Sequence, residues 1–174
     1  MTSDVSGRLR GIAVRSAKRA AMITKAAAEI LAPAGVDGDF GRTRGRRQVT
    51  VLSVEAWRDA CDELGAALPW TTRRANLFVA GLPLQPLAGA RLVIGNAVLE
   101  VTGETDPCKR MDEQHEGLRA ALTPKARGGV TCRVVAGGKI AVGDEVKWEP
   151  AMEDLFAGSN ERRVAGRRPP RAVG

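Results

Sequence analysis

Short apolar runs cut apart by glycine-bearing turns restrict the fold of this chain more than any other feature. Twenty of its 174 residues are glycine. Arg91-Leu-Val-Ile94 and Ala97–Thr102 flank Gly95-Asn96, a tight turn between two apolar runs and therefore a hairpin. Val130–Ala136, Gly137-Gly138 and Lys139–Trp148 repeat that plan, with Gly143-Asp144 as a further bend. Gln48–Ser53 alternates apolar and polar residues as a half-buried strand does. Leu77–Ala80 reads as another short strand and Leu9–Val14 as an edge strand. Helices are fewer. Ser53 is a good N-cap for a helix carrying Trp57, Cys61 and Leu64 on one side. A second helix is expected over 112–122, and local propensity alone makes the Ala-rich stretch Ser16–Leu31 a third. Pro33–Gly41 is turn by composition. Many short strands with two or three helices at the side imply a mainly β chain, folded as a closed or nearly closed barrel with helical decoration.

The length suits one domain, expected over 1–155. Residues 156–174 form a basic tail whose two prolines and scarcity of apolar residues predict disorder. No apolar run approaches the roughly 20 residues needed to span a bilayer. The polar, basic start Met1–Arg10 leads into no signal-peptide core, so a cytoplasmic protein is expected, with no membrane partner. Cys61, Cys108 and Cys132 are widely spaced and odd in number, which argues against a disulfide framework. With no C-x-x-C pair and His115 as the single histidine, a zinc site made by this chain alone is not expected. The net charge is +7, concentrated in the tail and in Arg42, Arg44, Arg46 and Arg47. Such clusters attract nucleic acid, phosphorylated cofactors or acidic proteins. Nucleic acid is the least favoured, because no tyrosine and only three phenylalanines leave few base-stacking platforms.

Cys108 is the first candidate for chemistry. Pro107 keeps the backbone before it out of helix, and Asp106, Lys109 and Arg110 make the loop polar. Cations beside a thiol favour the thiolate, the form that attacks sulfur donors and binds soft metals. The bland alternative is an incidental cysteine. Cys61, on a helix face, and Cys132, inside a strand, are most simply core residues. Arg73, Arg74 and Asn76 form a second group at a strand entrance, able to hold phosphate or carboxylate. A solvated basic edge is the plainer reading of those three. Arg127-Gly128-Gly129 is a third basic turn, whose amides could approach an anion or simply turn the chain. His115 has no partner for a triad and reads as surface. Asp37 and Asp39 read as turn residues.

Taken in order, these segments resemble one family. The ordered set runs Gly35-Val-Asp-Gly-Asp39, Arg46-Arg-Gln-Val-Thr-Val-Leu-Ser53 and Arg73-Arg-Ala-Asn-Leu-Phe-Val-Ala-Gly81. It continues through Leu87–Gly95, Leu99-Glu-Val-Thr-Gly-Glu-Thr-Asp-Pro-Cys108, Arg127-Gly-Gly-Val130 and Gly138–Val146. The set is similar to the MOSC (molybdenum cofactor sulfurase C-terminal) domain family, from about Gly35 to Trp148. That resemblance implies a β-barrel of the pyruvate-kinase barrel type, and would turn part of Ser16–Leu31 into strand. It gives Cys108 one of two roles, as a ligand of molybdenum or as a persulfide carrier of sulfur.

In the first role the chain binds molybdenum cofactor (molybdopterin) and reduces N-hydroxylated small molecules, drawing on an electron-transfer partner. Arg73, Arg74 and Asn76 are then the carry-over for anchoring the cofactor, with Thr105, Asp106, Arg110 and Arg127 around it. In the second, a pyridoxal-phosphate-dependent cysteine desulfurase supplies the sulfur, and pyridoxal phosphate belongs to that partner only. A third reading is a basic, non-catalytic binding module. The paired arginines favour cofactor binding over simple sulfur carriage.

Overall fold

In the computed structural model, residues 5–41 and 45–149 are described. The proposed tail therefore lies outside the described residues, as do Arg42 and Arg44. Among the described residues, eleven strands and three α-helices follow one another in the order β1 (Ser6–Val14), β2 (Ile23–Lys25), β3 (Ala27–Leu31), β4 (Gly35–Val36), β5 (Val49–Ser53), α1 (Val54–Leu64), β6 (Leu77–Ala80), β7 (Arg91–Ile94), β8 (Ala97–Glu104), α2 (Lys109–Gln114), α3 (Leu118–Leu122), β9 (Val130–Ala136), β10 (Gly138–Ala141) and β11 (Glu145–Glu149). Strands β1, β6, β5, β9, β8, β7 and β11 hydrogen-bond in that sequence, and β11 returns to β1 to close a seven-stranded barrel. Every pair in the ring is antiparallel except β5 with β6. Closure removes the unpaired edges that an open sheet would expose. Strand β2 lies outside the ring against the end of β1, and β10, β3 and β4 form a small separate sheet.

Alternation explains the interior. Val49 and Val51 of β5, Leu99 and Val101 of β8, and Val130, Cys132 and Val134 of β9 all point inward and are buried. Leu52 of β5 faces the other way, into a second cluster with Trp57, Ala60, Met111, Leu118 and Leu122 that seats the helices on the barrel. Ser53 caps α1 as expected, its Oγ accepting from the Ala56 amide at 3.2 Å. Trp57 is buried, with Cys61 and Leu64 packed beside it. No helix among the described residues is long and apolar enough to cross a membrane.

Four local expectations are corrected. Ser16–Leu31 contains no helix. Its second half is β2 and β3, with Ile30 buried and Ala28 paired to Ile140 of β10. Alanine richness favoured helix, but β3 pairs with β10 and β4, and sheet pairing overrides propensity. Leu9–Val14 is not an edge: β1 pairs with β11, β6 and β2 along its length. The second expected hairpin does not form either, because β10 leaves β9 to pair with β3 while β11 pairs with β7 and β1. At this crossing a side chain on Gly137 would meet the Ile30 carbonyl oxygen at 2.6 Å. Finally, the helix expected over 112–122 is two helices, α2 and α3, separated at Gly117, whose φ of 84° breaks the helical path.

Candidate functional site

Where β1 ends and β5 and β6 begin, the wall of the barrel carries a cavity of about 340 Å³. Its chemistry is mostly that of guanidinium groups. Arg15, Arg47, Arg73, Arg74 and Arg110 line it, against the two carboxylates Asp39 and Asp106. Cys108, Thr105, Asn76 and Met111 also face it. Cys108, Arg73, Arg74, Asn76, Thr105, Asp106 and Arg110, all singled out from the sequence, thus line one cavity. Arg127 is elsewhere. It lines a separate cavity, with its Nη1 2.9 Å from Glu63 Oε1 and 3.0 Å from the Ala121 carbonyl.

The gathered residues differ in what remains free to bind anything. Asn76 is occupied by the barrel: its Oδ1 accepts from the Thr50 amide at 3.1 Å, and its Nδ2 donates to the Ala13 carbonyl at 3.2 Å. It thus ties β1 to β5 beneath the cavity. Arg73 is buried, with Nε donating to the Gly128 carbonyl at 3.0 Å and Nη2 to the Thr105 carbonyl at 3.1 Å. Arg74, in a left-handed conformation at φ 65°, donates from Nη2 to the Ala20 carbonyl at 2.7 Å. Its Nε is buried without a partner, and so are Thr105 Oγ1 and Arg110 Nε. Buried polar atoms normally find a hydrogen bond, so three orphans on one cavity wall point to a missing partner.

Electrostatics agrees. Burial pulls the Arg73 guanidinium below its ordinary value; its electrostatic interaction with nearby Cys108 opposes that, and Arg47 adds to it. Arg74 is also lowered, first by burial and then by repulsion from Arg110 and Arg15, with Asp39 opposing. Asp39 gives limited relief, because its carboxylate already accepts from the Arg15 and Gly41 amides at 3.0 Å each. It is the turn residue the sequence suggested. Like charges gathered in a partly dry wall are most stable with an anion among them.

Cys108 itself is exposed and stands at the start of α2, with extended backbone at φ −104° and ψ 176°. The loop before it is held firmly. Besides the Arg73 bond to Thr105, Arg119 Nε donates to the Pro107 carbonyl at 3.2 Å, and the Thr105 amide donates to the Gly129 carbonyl at 2.9 Å. Among the described residues no three His, Cys, Asp or Glu side chains converge to hold a metal ion. A metal at Cys108 would have to bring its other donor atoms with it. His115 lies in the break between α2 and α3, its Nδ1 3.0 Å from the Glu116 carbonyl oxygen. Sequence reasoning missed Arg15 and Arg119. Nothing local marks Arg15, which reaches the cavity only through the end of β1, and Arg119 was hidden inside the helix expected over 112–122.

Comparison with known proteins places this geometry in a group. The MOSC domain family model matches residues 34–147. No curated protein matches the sequence. Among solved structures, the YuaD protein from Bacillus subtilis superposes with a TM-score of 0.73 at 21% identity, covering 85% of this chain and 98% of that one. YiiM from Geobacillus stearothermophilus gives a TM-score of 0.64 at 17% identity, over 82% of this chain and 75% of that one. YiiM from Escherichia coli gives 0.61 at 16%, over 82% and 69%.

Proposed function

We propose, for a chain that belongs to the MOSC domain family, that the arginine-walled cavity binds molybdenum cofactor with Cys108 as its thiolate ligand. The observation that carries this reading is the trio of orphaned polar atoms, Arg74 Nε, Thr105 Oγ1 and Arg110 Nε, on a wall rich in positive charge. These residues fit such a group. Arg74 and Arg110, with Arg47 and Arg15 behind them, supply the donors and charge for a phosphate-bearing anion. Thr105 offers a hydroxyl, and Cys108 a soft sulfur at the cavity wall. The cavity, about 340 Å³, lies at the lower end of the usual range for small-molecule sites. When bound, the cofactor would supply the redox chemistry, which the family resemblance directs at N-hydroxylated small molecules. This chain's residues would hold the anion and present one sulfur to it. An electron-transfer partner is then required, and the cytoplasm, which keeps thiols reduced, is the proposed place of action.

The exposure of Cys108 favours a second reading, sulfur carriage. Its thiolate would attack the outer sulfur of a persulfide on a pyridoxal-phosphate-dependent cysteine desulfurase, releasing that enzyme's cysteine as thiolate and leaving Cys108 as the persulfide. Such a transfer needs an accessible sulfur, and Cys108 is exposed. Metal and pterin analysis of protein purified from a host that makes molybdenum cofactor, beside Cys108→Ser, separates the two. Near-stoichiometric molybdenum that disappears in the variant is the expected result. An empty wild-type protein overturns the first reading. Mass spectrometry after incubation with a desulfurase and cysteine then decides the second by a gain of sulfur on Cys108.

A further inference from the structure

The cavity wall contains two kinds of arginine. Arg74 and Arg110 each keep a buried nitrogen without a partner. Arg73 does not: it is the most buried of the five lining arginines, and its fork spans two main-chain carbonyls from separate segments, Gly128 and Thr105. Thr105 lies three residues before Cys108. On the other side of Asp106, Arg119 takes the Pro107 carbonyl. Two guanidinium groups thus hold the carbonyls at both ends of the three residues that precede the cysteine.

We propose that Arg73, assisted by Arg119, is a positioning residue, fixing the Thr105–Pro107 segment so that the Cys108 sulfur stands within the positive field of the cavity. The assignment rests on Cys108 being the working residue, and it leaves the anion to Arg74, Arg110 and Thr105. The surroundings of Arg73 show why a fork is needed. A lysine presents a point charge on a flexible stem and cannot hold two carbonyls in one plane as a guanidinium does. The turn opposite is shaped to the same contact. A side chain on Gly128 would place its Cβ 2.4 Å from the Thr105 carbonyl oxygen and 3.4 Å from Arg73 Nη2. Gly129 next to it adopts φ 93°, and a Cβ there would lie 2.2 Å from the Val51 carbonyl oxygen. Both glycines are therefore set by close backbone approach, which lets the turn at 128–129, the Cys108 loop and β5 meet. The Arg127-Gly128-Gly129 motif serves the site through its glycines while its arginine points elsewhere.

The test uses the full chain and reads Cys108 alone by peptide mapping after brief alkylation. Iodoacetate is anionic and iodoacetamide neutral, so the ratio of their rates at one cysteine reports the positive field at its sulfur. The ratio should be high in the wild-type protein. It should fall several-fold in Arg73→Lys, which keeps the charge and loses the fork, and in Gly128→Ala, which keeps the Arg73 side chain and pushes the Thr105 carbonyl away from it. Arg119→Met, a change at an exposed residue that leaves the fold intact, should lower the ratio by a smaller factor. Loss of stability alone, followed by thermal melting, would not move a ratio measured well below the transition. An unchanged ratio in Arg119→Met and in whichever of the other two variants folds would overturn the assignment. A lowered ratio in a protein that takes up neither molybdenum nor sulfur would keep the positioning role and remove the proposed function.

Discussion

Cys132 and Cys108 are the same side chain in two regions built on opposite terms. Cys132 sits mid-strand in β9, opposite Val49 of β5 on one side and Val101 of β8 on the other, with no exposure to solvent. Burial pushes its thiol up to about 12. Cys108 ends a loop, is exposed, and has a wall of guanidinium groups beside it. In the first region Cys132 packs in an apolar cluster, and the buried Gln48 side chain beside it accepts from the Val134 amide; in the second, polar atoms are left over. The barrel interior resists charge, while the cavity wall calls for one. A cysteine thus takes its role from its surroundings.

The comparison can be broken at several points. Truncating the barrel side with Leu99→Ala, two residues along β8 from Val101, should cost about 2–5 kcal/mol by leaving a cavity in a closed interior. Urea denaturation would show it, and a loss under about 1 kcal/mol would mean the barrel is loosely packed there. Cys132→Ser should cost about 1–3 kcal/mol, because a hydroxyl replaces a thiol among apolar side chains. The same change at Cys108 should alter stability by less than about 0.5 kcal/mol while removing the site's function. Equal losses of stability in the two serine variants would erase the distinction.

A pH series sharpens the contrast. An unfolded thiol titrates near 9.0 and the folded Cys132 thiol near 12. Between these values the unfolded chain has released a proton that the folded chain keeps, so stability falls as pH rises, by at most about 1.4 kcal/mol per pH unit. Below about 9 this loss is absent. Cys132→Ala should flatten the alkaline decline relative to the wild-type protein, and identical slopes would show that Cys132 is not held neutral. A small effect also belongs to the surface ion pair. Arg133→Ala, which frees Glu100 from a 3.0 Å contact, should change stability by no more than about 1 kcal/mol.

Much of the molecule was legible from residues alone. The alternation of Val49 and Val51, the apolar pair around Gly95-Asn96 and the Ser53 cap each encode a local conformation, and β5, β7, β8 and α1 form where they indicate. The Pro-Cys loop and the adjacent arginines drew their joint role from the family resemblance, since taken alone the arginines read as a solvated basic edge; the fold lines one cavity with both. Ser16–Leu31 was legible only through the resemblance, which made part of it strand, because its alanines state a helical preference that the pairing of β3 with β10 overrules.

What the sequence determined by itself, then, is most of the barrel strands, the turn at Gly95-Asn96 and the residue types able to bind an anion beside a thiol. Only the tertiary structure decided which strand lies next to which, and so closed the ring through β1 and β11. It also separated Arg73 from Arg74, adjacent in the chain, into one side chain held by main-chain carbonyls and one with a nitrogen unpartnered. The reason is one of range. Propensity, capping and alternation act over a few residues, whereas the partners of Arg73 lie 32 and 55 positions away, and that separation is bridged only once the barrel has formed.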